Sequence, residues 1–465
     1  MFDARPAVSR PARLAPALTL LVALACGTTD RPSTQTAAGQ AHRDSAAGTL
    51  DGAATAPAAT ATAVPAVDPA CAPGNGGITL PAGFCATIFT DSAKGARDIA
   101  VAPNGDVFVN GRSTRNGGGG VYALRDANGD GVADSMVTFG GRRGTGIAFT
   151  PGWVYVDEAS QIVRYPIAAG ALVPNGEAQV IVSGVPTGGH DARNFVLDGR
   201  GSLYLNVGSM TNSCQTKDRA NRAPGIDPCV ELETRAGIWR FRADQQGQAF
   251  GPGARFATGI RNGMGLAMNP ADGSLYVAFH GRDQLSQNWG FTDEQNAELP
   301  AEELVKLQQG GDYGWPYCYY DGQQKKLVLA PEYGGDGKQV GRCASKLTPV
   351  VAFPGHWAPM SGLFYTGNRF PAKYRSGMFV AFHGSWNRAP LPQAGFRVAF
   401  APMTSGKFSG AYETFADGFA GSGSGSTARN AAAHRPVGLA QAPDGAMYVT
   451  DDAQGRIWKI VYTGK

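Results

Sequence analysis

Six times along the chain, a short apolar strand is followed by a tight polar turn and a second, more apolar strand. The phrase reads RDIAVAPNGDVFVNG from Arg97, GTGIAFTPGWVYVDE from Gly144 and ARNFVLDGRGSLYLNVG from Ala192. It returns as GMGLAMNPADGSLYVAF from Gly263, MSGLFYTGNRFPAKYRSGMFVAF from Met360 and PVGLAQAPDGAMYVTD from Pro436. Insertions of unequal length separate the copies, so the period is irregular. Repeated antiparallel hairpins of this kind predict a propeller, in which four-stranded blades surround a central channel. Six copies predict an all-β, six-bladed β-propeller over residues 71–465. The strand from Gly83 to Thr90 is expected to close the ring by pairing with the last blade, which removes an exposed sheet edge.

The predicted symmetry says which residues share a face. Within a blade the first strand runs beside the axis and the second returns antiparallel to it. Residues just before the first strand and just after the second therefore lie at the same end of the channel. The first set is Lys94 and Arg97, Arg142 and Arg143, His190 and Asp191, Arg261 and Asn262, His356 and Trp357, His434 and Arg435. The second is Asn110 and Arg112, Asp157, Asn206 and Ser209, then His280 with Arg282 and Asp283, His383 with Trp386, Asn387 and Arg388, and finally Asp451 and Asp452. Five of the six histidines of the chain fall in these sets, among a collar of arginines. A concave face of this composition is a candidate site, and its field favours an anionic ligand.

Composition adds the compartment. Charged residues make up only 17% of the chain and glycine numbers 65, as a turn-rich all-β protein requires. The net charge of +4 comes without a Lys/Arg run or an RNA-binding signature, so nucleic acid is not an expected partner. At the N-terminus Arg5, Arg10 and Arg13 precede an apolar run from Leu14 to Ala25, too short to span a membrane as a mature helix. Residues 1–26 read as a signal peptide that resembles the lipoprotein type, with Cys26 becoming the lipidated first residue; cleavage without lipidation is the alternative. Residues 27–70 are rich in Ala, Thr, Pro and Ser and read as a disordered tether. The expected location is the periplasm or the outer membrane of a bacterium, with the membrane reached through Cys26. Six further cysteines fall as sequence-local pairs, and the expected disulfides are Cys71–Cys85, Cys214–Cys229 and Cys318–Cys343.

Two local motifs carry chemistry of their own. Asp126, Asn128, Asp130 and Asp134 place oxygen donors at alternate positions around glycines, a spacing suited to a structural Ca²⁺; an Asx-rich hairpin turn is the alternative. The segment PAEELVKLQQGGDYGWPYC, from Pro300 to Cys318, is expected to begin with a helical turn. Its Gly310-Gly311 and Asp312-Tyr313-Gly314-Trp315-Pro316 resemble the GG-x-YGWP signature of the glucose/sorbosone dehydrogenase family, six-bladed propellers that use pyrroloquinoline quinone (PQQ). His190 with the following VLDGRGSLYLNVGS, Arg261-Asn262-GMGLAMNP, FHGSWNR from Phe382 and RPVGLAQAPDGAMYVTDD from Arg435 resemble further parts of that family, so the resemblance covers residues 78 to 463.

The resemblance implies a set of roles. His190 would be the general base for a sugar hydroxyl. Arg261 would stabilise negative charge on the quinone oxygen, with Asn262 beside it. Carbonyl oxygens of Gly281, Arg282 and Asp283 would bind a Ca²⁺ that serves the cofactor. Arg388 and Arg435 would pair with PQQ carboxylates, with Asn387 and Arg143 also on the cofactor side. Asp191, His356, Trp357 and Trp386 are candidate substrate contacts. Gly189 and Arg282 depart from the best-known glucose dehydrogenases of the family, and GSWNR is closer to the sorbosone or pyranose dehydrogenase-like branch, which puts glucose itself in doubt. The expected function is an exported PQQ- and Ca²⁺-dependent oxidoreductase acting on a sugar, sugar aldehyde or polyol, with a quinone or cytochrome as electron acceptor. A non-catalytic carbohydrate- or ligand-binding propeller is one alternative. A Ca²⁺-dependent lactonase is another, with Asp157, Asp283, Asp451 and Asp452 as possible metal ligands.

Overall fold

The computed structural model describes residues 70–114, 117–141 and 143–464. The signal peptide, Cys26, Arg142 and the tether up to residue 69 lie outside the described residues. Blade one is built from Ala96–Val101, Val107–Gly111, Gly120–Arg125 and Ser135–Phe139, paired in that order. Blade two runs from Ile147–Thr150 to Gln179–Ser183, and a short segment, Gln248–Ala249, adds in parallel at its outer edge. Blade three runs from Phe195–Leu197 to Arg255–Thr258, blade four from Gly265–Met268 to Val351–Phe353, and blade five from Pro359–Phe364 to Glu413–Ala416. Blade six holds Pro436–Gln441, Met447–Asp451 and Ile457–Tyr462. Its fourth strand is Phe84–Thr90 from the other end of the chain, in register from Phe84↔Tyr462 to Ile88↔Trp458. The six-bladed propeller expected from the repeats, with its closing strand, is the observed fold. The innermost strands touch one another in order around the ring.

The hydrophobic pattern explains the stacking. The second strands are sandwiched between neighbouring blades, and four of the six are buried from end to end: Val107–Gly111, Leu275–Phe279, Gly377–Phe382 and Met447–Asp451. This is why these segments read as near-continuous apolar runs. Each of the six gaps between blades holds its own apolar cluster; that between blades five and six is the most aromatic, with Phe379, Phe400, Phe84 and Trp458. Burying one such side chain stabilises the fold by about 1.5–3 kcal/mol. The turn at Pro103-Asn104-Gly105 needs its glycine, since Gly105 has φ of 92°.

All three expected disulfides are formed. Cys71–Cys85 ties residues before the closing strand to that strand. The other two staple insertions in blades three and four. One expectation fails here: the segment after Pro300 does not begin with a helical turn. Glu302–Lys306 is the third strand of blade four, paired with both Leu275–Phe279 and Val351–Phe353. The helix lies earlier, at Asp293–Glu298, where Thr292 and Gln295 form a reciprocal capping box. Leu304 and Val305 fill the gaps on the two sides of the blade, and this burial prevails over the helix propensity of the glutamates.

Candidate active site

A cavity of about 200 Å³ opens at the end of the channel that the repeat symmetry singles out. Its wall includes His190, Arg261, Asn262, Gly281, Asp283, His356, Trp386 and Asn387. Every one of these is among the residues singled out from the sequence. Arg97 and His280, both in the predicted rim sets, line it as well, as do Arg219, Glu302 and Met360, which the sequence reading did not single out.

His190 sits in the loop that leads into blade three. Its Nδ1 lies 2.9 Å from the Ser209 carbonyl oxygen and 3.0 Å from Ser209 Oγ. A carbonyl can only accept, and Ser209 Oγ itself donates to Thr211 O. Nδ1 therefore carries the hydrogen and Nε2 keeps a lone pair, the tautomer a general base needs. Burial first, and the Arg261 guanidinium second, push its pKa down to about 3, so the ring is neutral at ordinary pH. His280 follows the same rule with the nitrogens exchanged. Its Nε2 donates to Pro359 O at 2.8 Å, and burial lowers its pKa to about 4.

Arg261 precedes the first strand of blade four and is almost fully buried. It donates from Nη1 to Gly281 O at 2.8 Å and from Nη2 to Asp283 Oδ2 at 2.9 Å. The remaining contacts are to Asn212, from Nε to its backbone oxygen and from Nη2 to its side-chain oxygen, each at 3.1 Å. Asp283 is the centre of charge. Beside Arg261 it accepts from Arg219 Nη2 at 2.8 Å and from Asn387 Nδ2 at 2.8 Å, and His356 Nδ1 stands 3.5 Å away. Burial opposes ionisation of Asp283, but Arg261, His356 and Arg219 outweigh it and hold the carboxyl well below its ordinary range. Glu302 shows the opposite outcome. Burial pushes its carboxyl up to about 7, although its two oxygens accept from Gly281 N and Ala358 N.

Trp386 lines the cavity with the Arg219 and Arg429 guanidiniums 5.7 and 5.1 Å from its ring. Such contacts favour a flat, electron-rich wall under positive potential.

Other predicted site residues are held elsewhere. Arg388 is not on the cavity wall. It donates to Glu298 Oε1 at 2.6 Å and to the carbonyls of Ala297, Gly355 and Pro392, so it staples the loop after blade five's second strand to the helix Asp293–Glu298. Arg435 is likewise turned to carbonyls, those of His383 and Gly384. Arg143 is exposed and forms a backbone bridge with Arg112, whose side chain pairs with Asp191 at 3.1 Å. Trp357 packs in the core between Phe382 and Tyr412, under the Arg397 guanidinium. The reason is common to Arg388 and Arg435: a long side chain near a loop finds buried carbonyls that need a donor.

The carbonyl set of the 281–283 loop is partly engaged, since Gly281 O accepts from Arg261 and Asp283 O from Asn212 Nδ2. The Arg282 side chain runs inward to Glu332, which also accepts from Trp289 Nε1 at 2.9 Å. In the loop 126–134, Asp126 accepts from Gly129 N and Gly131 N, Asp130 from Val132 N, and Asp134 from Ala127 N. This is the geometry of an Asx-rich hairpin turn between two strands of blade one. The acids considered for a lactonase do not converge. Asp157 faces Arg193, Asp451 faces His434 and Asp452 faces Arg97 and His383. Among the described residues no group of three or more His, Cys, Asp or Glu is placed to hold a metal.

Residues 78–463 match the TrAA12-like family. A pyrroloquinoline quinone-dependent pyranose dehydrogenase of Coprinopsis cinerea is 28% identical over 241 residues, 43% of this chain and 30% of that protein. The chain spans about half or less of the length of the first curated relatives it matches. Among solved structures, the holo form of the pyranose dehydrogenase PQQ domain from Coprinopsis cinerea superposes with a TM-score of 0.66 at 20% identity, covering 83% of this chain and 97% of that one. The calcium structure of Trichoderma reesei Carbohydrate-Active Enzymes Family AA12 gives 0.68 at 18% identity, with the same coverage of each chain. Identities this low support the six-bladed fold alone. The family match itself runs from just before the closing strand to the last strand of blade six, and on that extent the chain belongs to the TrAA12-like family.

Proposed function

We propose that this protein is an exported, PQQ-dependent dehydrogenase that oxidises a sugar, sugar aldehyde or polyol. The observation that carries the reading is a neutral His190, its Nε2 lone pair available, on the wall of the same small cavity as the buried Arg261. The names of the relatives in Coprinopsis cinerea support the same chemistry.

The cavity suits the cofactor by its donor set. PQQ is a flat tricarboxylate, and Arg97, Arg219 and Arg261 line the cavity with the Trp386 indole and the amides of Asn262 and Asn387. Arg261, Arg219 and Asn387 would hold the anion, in place of the Arg388 and Arg435 expected from sequence. Bound PQQ would supply the two-electron acceptor for hydride, and a Ca²⁺ beside it would act as a Lewis acid. Carbonyls have a second lone pair, so Gly281 and Asp283 could take a cation while keeping their present donors.

The residues of the chain then divide the work. His190 Nε2 accepts the hydroxyl proton of the substrate while Nδ1 stays anchored to Ser209. Anionic charge brought beside Arg261 offsets the guanidinium that lowers the basicity of His190. Arg261, held by Asp283 and Asn212, keeps a fixed positive charge where negative charge develops. Trp386 offers a flat wall for a sugar ring or the cofactor. The electron acceptor we propose is a quinone or a cytochrome. Export fits the three disulfides, and lipidation of Cys26 would anchor the protein in the periplasm or outer membrane.

The test is reconstitution. Metal-stripped full chain receives PQQ with and without Ca²⁺, and dye reduction is followed over aldoses, sorbosone and polyols. Turnover that requires PQQ supports the reading. Absence of both turnover and any change in PQQ absorbance on mixing overturns it. Loss of lipid labelling in Cys26→Ala, with labelling of the parent, tests the anchor separately.

A further inference from the structure

Asn212 lies in the loop between blade three's second and third strands, two residues before Cys214 of the Cys214–Cys229 disulfide. It is 1% exposed. Its side-chain amide faces the backbone of Asp283 as a second strand would. Oδ1 accepts from Asp283 N at 2.8 Å, and Nδ2 donates to Asp283 O at 3.0 Å. The same Oδ1 accepts from Arg261 Nη2 at 3.1 Å. The backbone oxygen of Asn212 accepts from Arg261 Nε at 3.1 Å and from Trp315 Nε1 at 2.9 Å, and its own N–H donates to Asp218 Oδ1 at 2.9 Å. The orientation of the amide is fixed by chemistry, because two donors converge on the oxygen and an acceptor faces the nitrogen.

One residue therefore touches the guanidinium of Arg261, both backbone groups of Asp283 and the indole of Trp315. Arg219, inside the loop that the disulfide closes, also reaches Asp283, so the two contacts come from the same insertion of blade three. Among the described residues no other side chain binds both polar backbone groups of Asp283. Without it the loop from Gly281 to Asp283 would lose the contact that sets which way its peptide groups face.

We propose that Asn212 is the positioning residue of this site: it sets the pose of Arg261 and of the 281–283 loop, and so the affinity for the anion that the cavity holds. The kinetic part of this inference rests on the dehydrogenase reading; the structural part does not.

The decisive comparison is wild type against Asn212→Ala and Asn212→Asp. The aspartate keeps an acceptor for Arg261 and Asp283 N but sets an oxygen against Asp283 O. PQQ affinity is read by quenching of tryptophan fluorescence, and turnover by dye reduction normalised to folded protein. Outer-shell partners of this kind typically govern about 10–100-fold in affinity or activity. We expect the alanine variant to lose about that much in PQQ affinity or kcat, with a smaller change in substrate KM, and the aspartate variant to fall between. Hydrogen exchange of peptides containing the Asp283 amide gives a readout that needs no cofactor, and this amide should exchange faster in Asn212→Ala. Unchanged exchange, or PQQ affinity and kcat both within twofold of wild type, would overturn the proposal. If wild type itself neither binds PQQ nor turns over, the dehydrogenase reading fails, and hydrogen exchange still decides the role of Asn212. A variant that only melts lower, with normal exchange and affinity once folded, assigns Asn212 a merely structural part and also overturns the proposal.

Discussion

The two halves of the ring differ. Of the residues on the cavity wall, all but Arg97 come from blades three, four and five or the loops that lead into them. Blades one, two and six have short connections, and their polar groups at the same end answer one another. His383 and His434 show the contrast with His190. His434 and Asp451 belong to blade six, and His383 of blade five leans across to Asp452 of the same blade; each of these histidines meets a carboxylate at 2.8 Å. His190 and His280 rest on backbone carbonyls instead and line the cavity, which His383 and His434 do not. A histidine held away from the cavity is a strut, whereas one on its wall with a free ring nitrogen is both oriented and chemically available. The lesson is that equivalent positions in a symmetric ring become structural or reactive according to whether the ring faces the cavity.

The largest effect expected from breaking this contrast is at His190. His190→Ala should lower kcat in the reconstituted enzyme by about 10²–10⁴-fold, the usual share of a general base. His434→Ala should leave kcat within a few-fold while lowering Tm. Equal kinetic losses in both would refute the division between halves.

Next comes Asp283→Ala. It leaves Arg261 buried without its carboxylate, and breaking a buried pair in this way typically costs about 3–5 kcal/mol. Urea denaturation at neutral pH measures it, and a loss under 1 kcal/mol would mean that Asp283 is not the centre of charge described above.

The quiet half has a signature in pH. Asp98, on the first strand of blade one, accepts from Ser361 Oγ at 3.2 Å, and burial pushes its carboxyl up from 3.8 to about 7. Below 3.8 the group is protonated in both folded and unfolded chains. Between 3.8 and 7 only the unfolded chain ionises, so the stability due to Asp98 falls as pH rises and is lost above 7. Asp98→Asn removes this dependence. Relative to wild type, its Tm should improve from pH 4 to about pH 7 and level off above that, and a difference that is flat throughout would contradict the assignment.

Smallest of all should be Asp134→Ala in the blade-one hairpin. It removes hydrogen bonds to Ala127 N and Asn128 Nδ2 at the surface, worth about 1 kcal/mol. Turnover should not change. Added Ca²⁺ should shift the Tm of wild type and variant equally if the Asx turns alone hold this loop; a rise that is lost only in the variant would restore calcium to it.

Much of the ring was legible because strand alternation and turn chemistry are local. The phrase around Asn104-Gly105 specifies a hairpin wherever it occurs, and six such phrases leave few other architectures. The same symmetry assigned His190, Arg261, Asn262, His356, Trp386 and Asn387 to one end, where they do line a common cavity. It could not say where a long side chain turns. Arg388 and Arg435 start at that end and reach buried carbonyls instead. Glu302 was missed because its segment has the composition of a helix and acquires its strand from neighbours on both sides. Asn212 and Arg219 were missed for a different reason. They belong to an insertion with no counterpart in other blades, so the repeat carries no information about them. The Cys214–Cys229 bracket was the available signal, since a loop closed by a disulfide is one whose shape is under constraint.

The closing strand has a consequence for the order of events during synthesis. Phe84–Thr90 is the first of the described strands to leave the ribosome, and its partner Ile457–Tyr462 is the last of them. Until then the nascent chain carries an unpaired strand whose edge is open to other chains. The arrangement also brings the two extremities of the ring together, Phe84 opposite Tyr462. A circularly permuted chain, joined there by a short linker and opened at the exposed turn after Arg242, would make the closing hairpin local and complete that blade early.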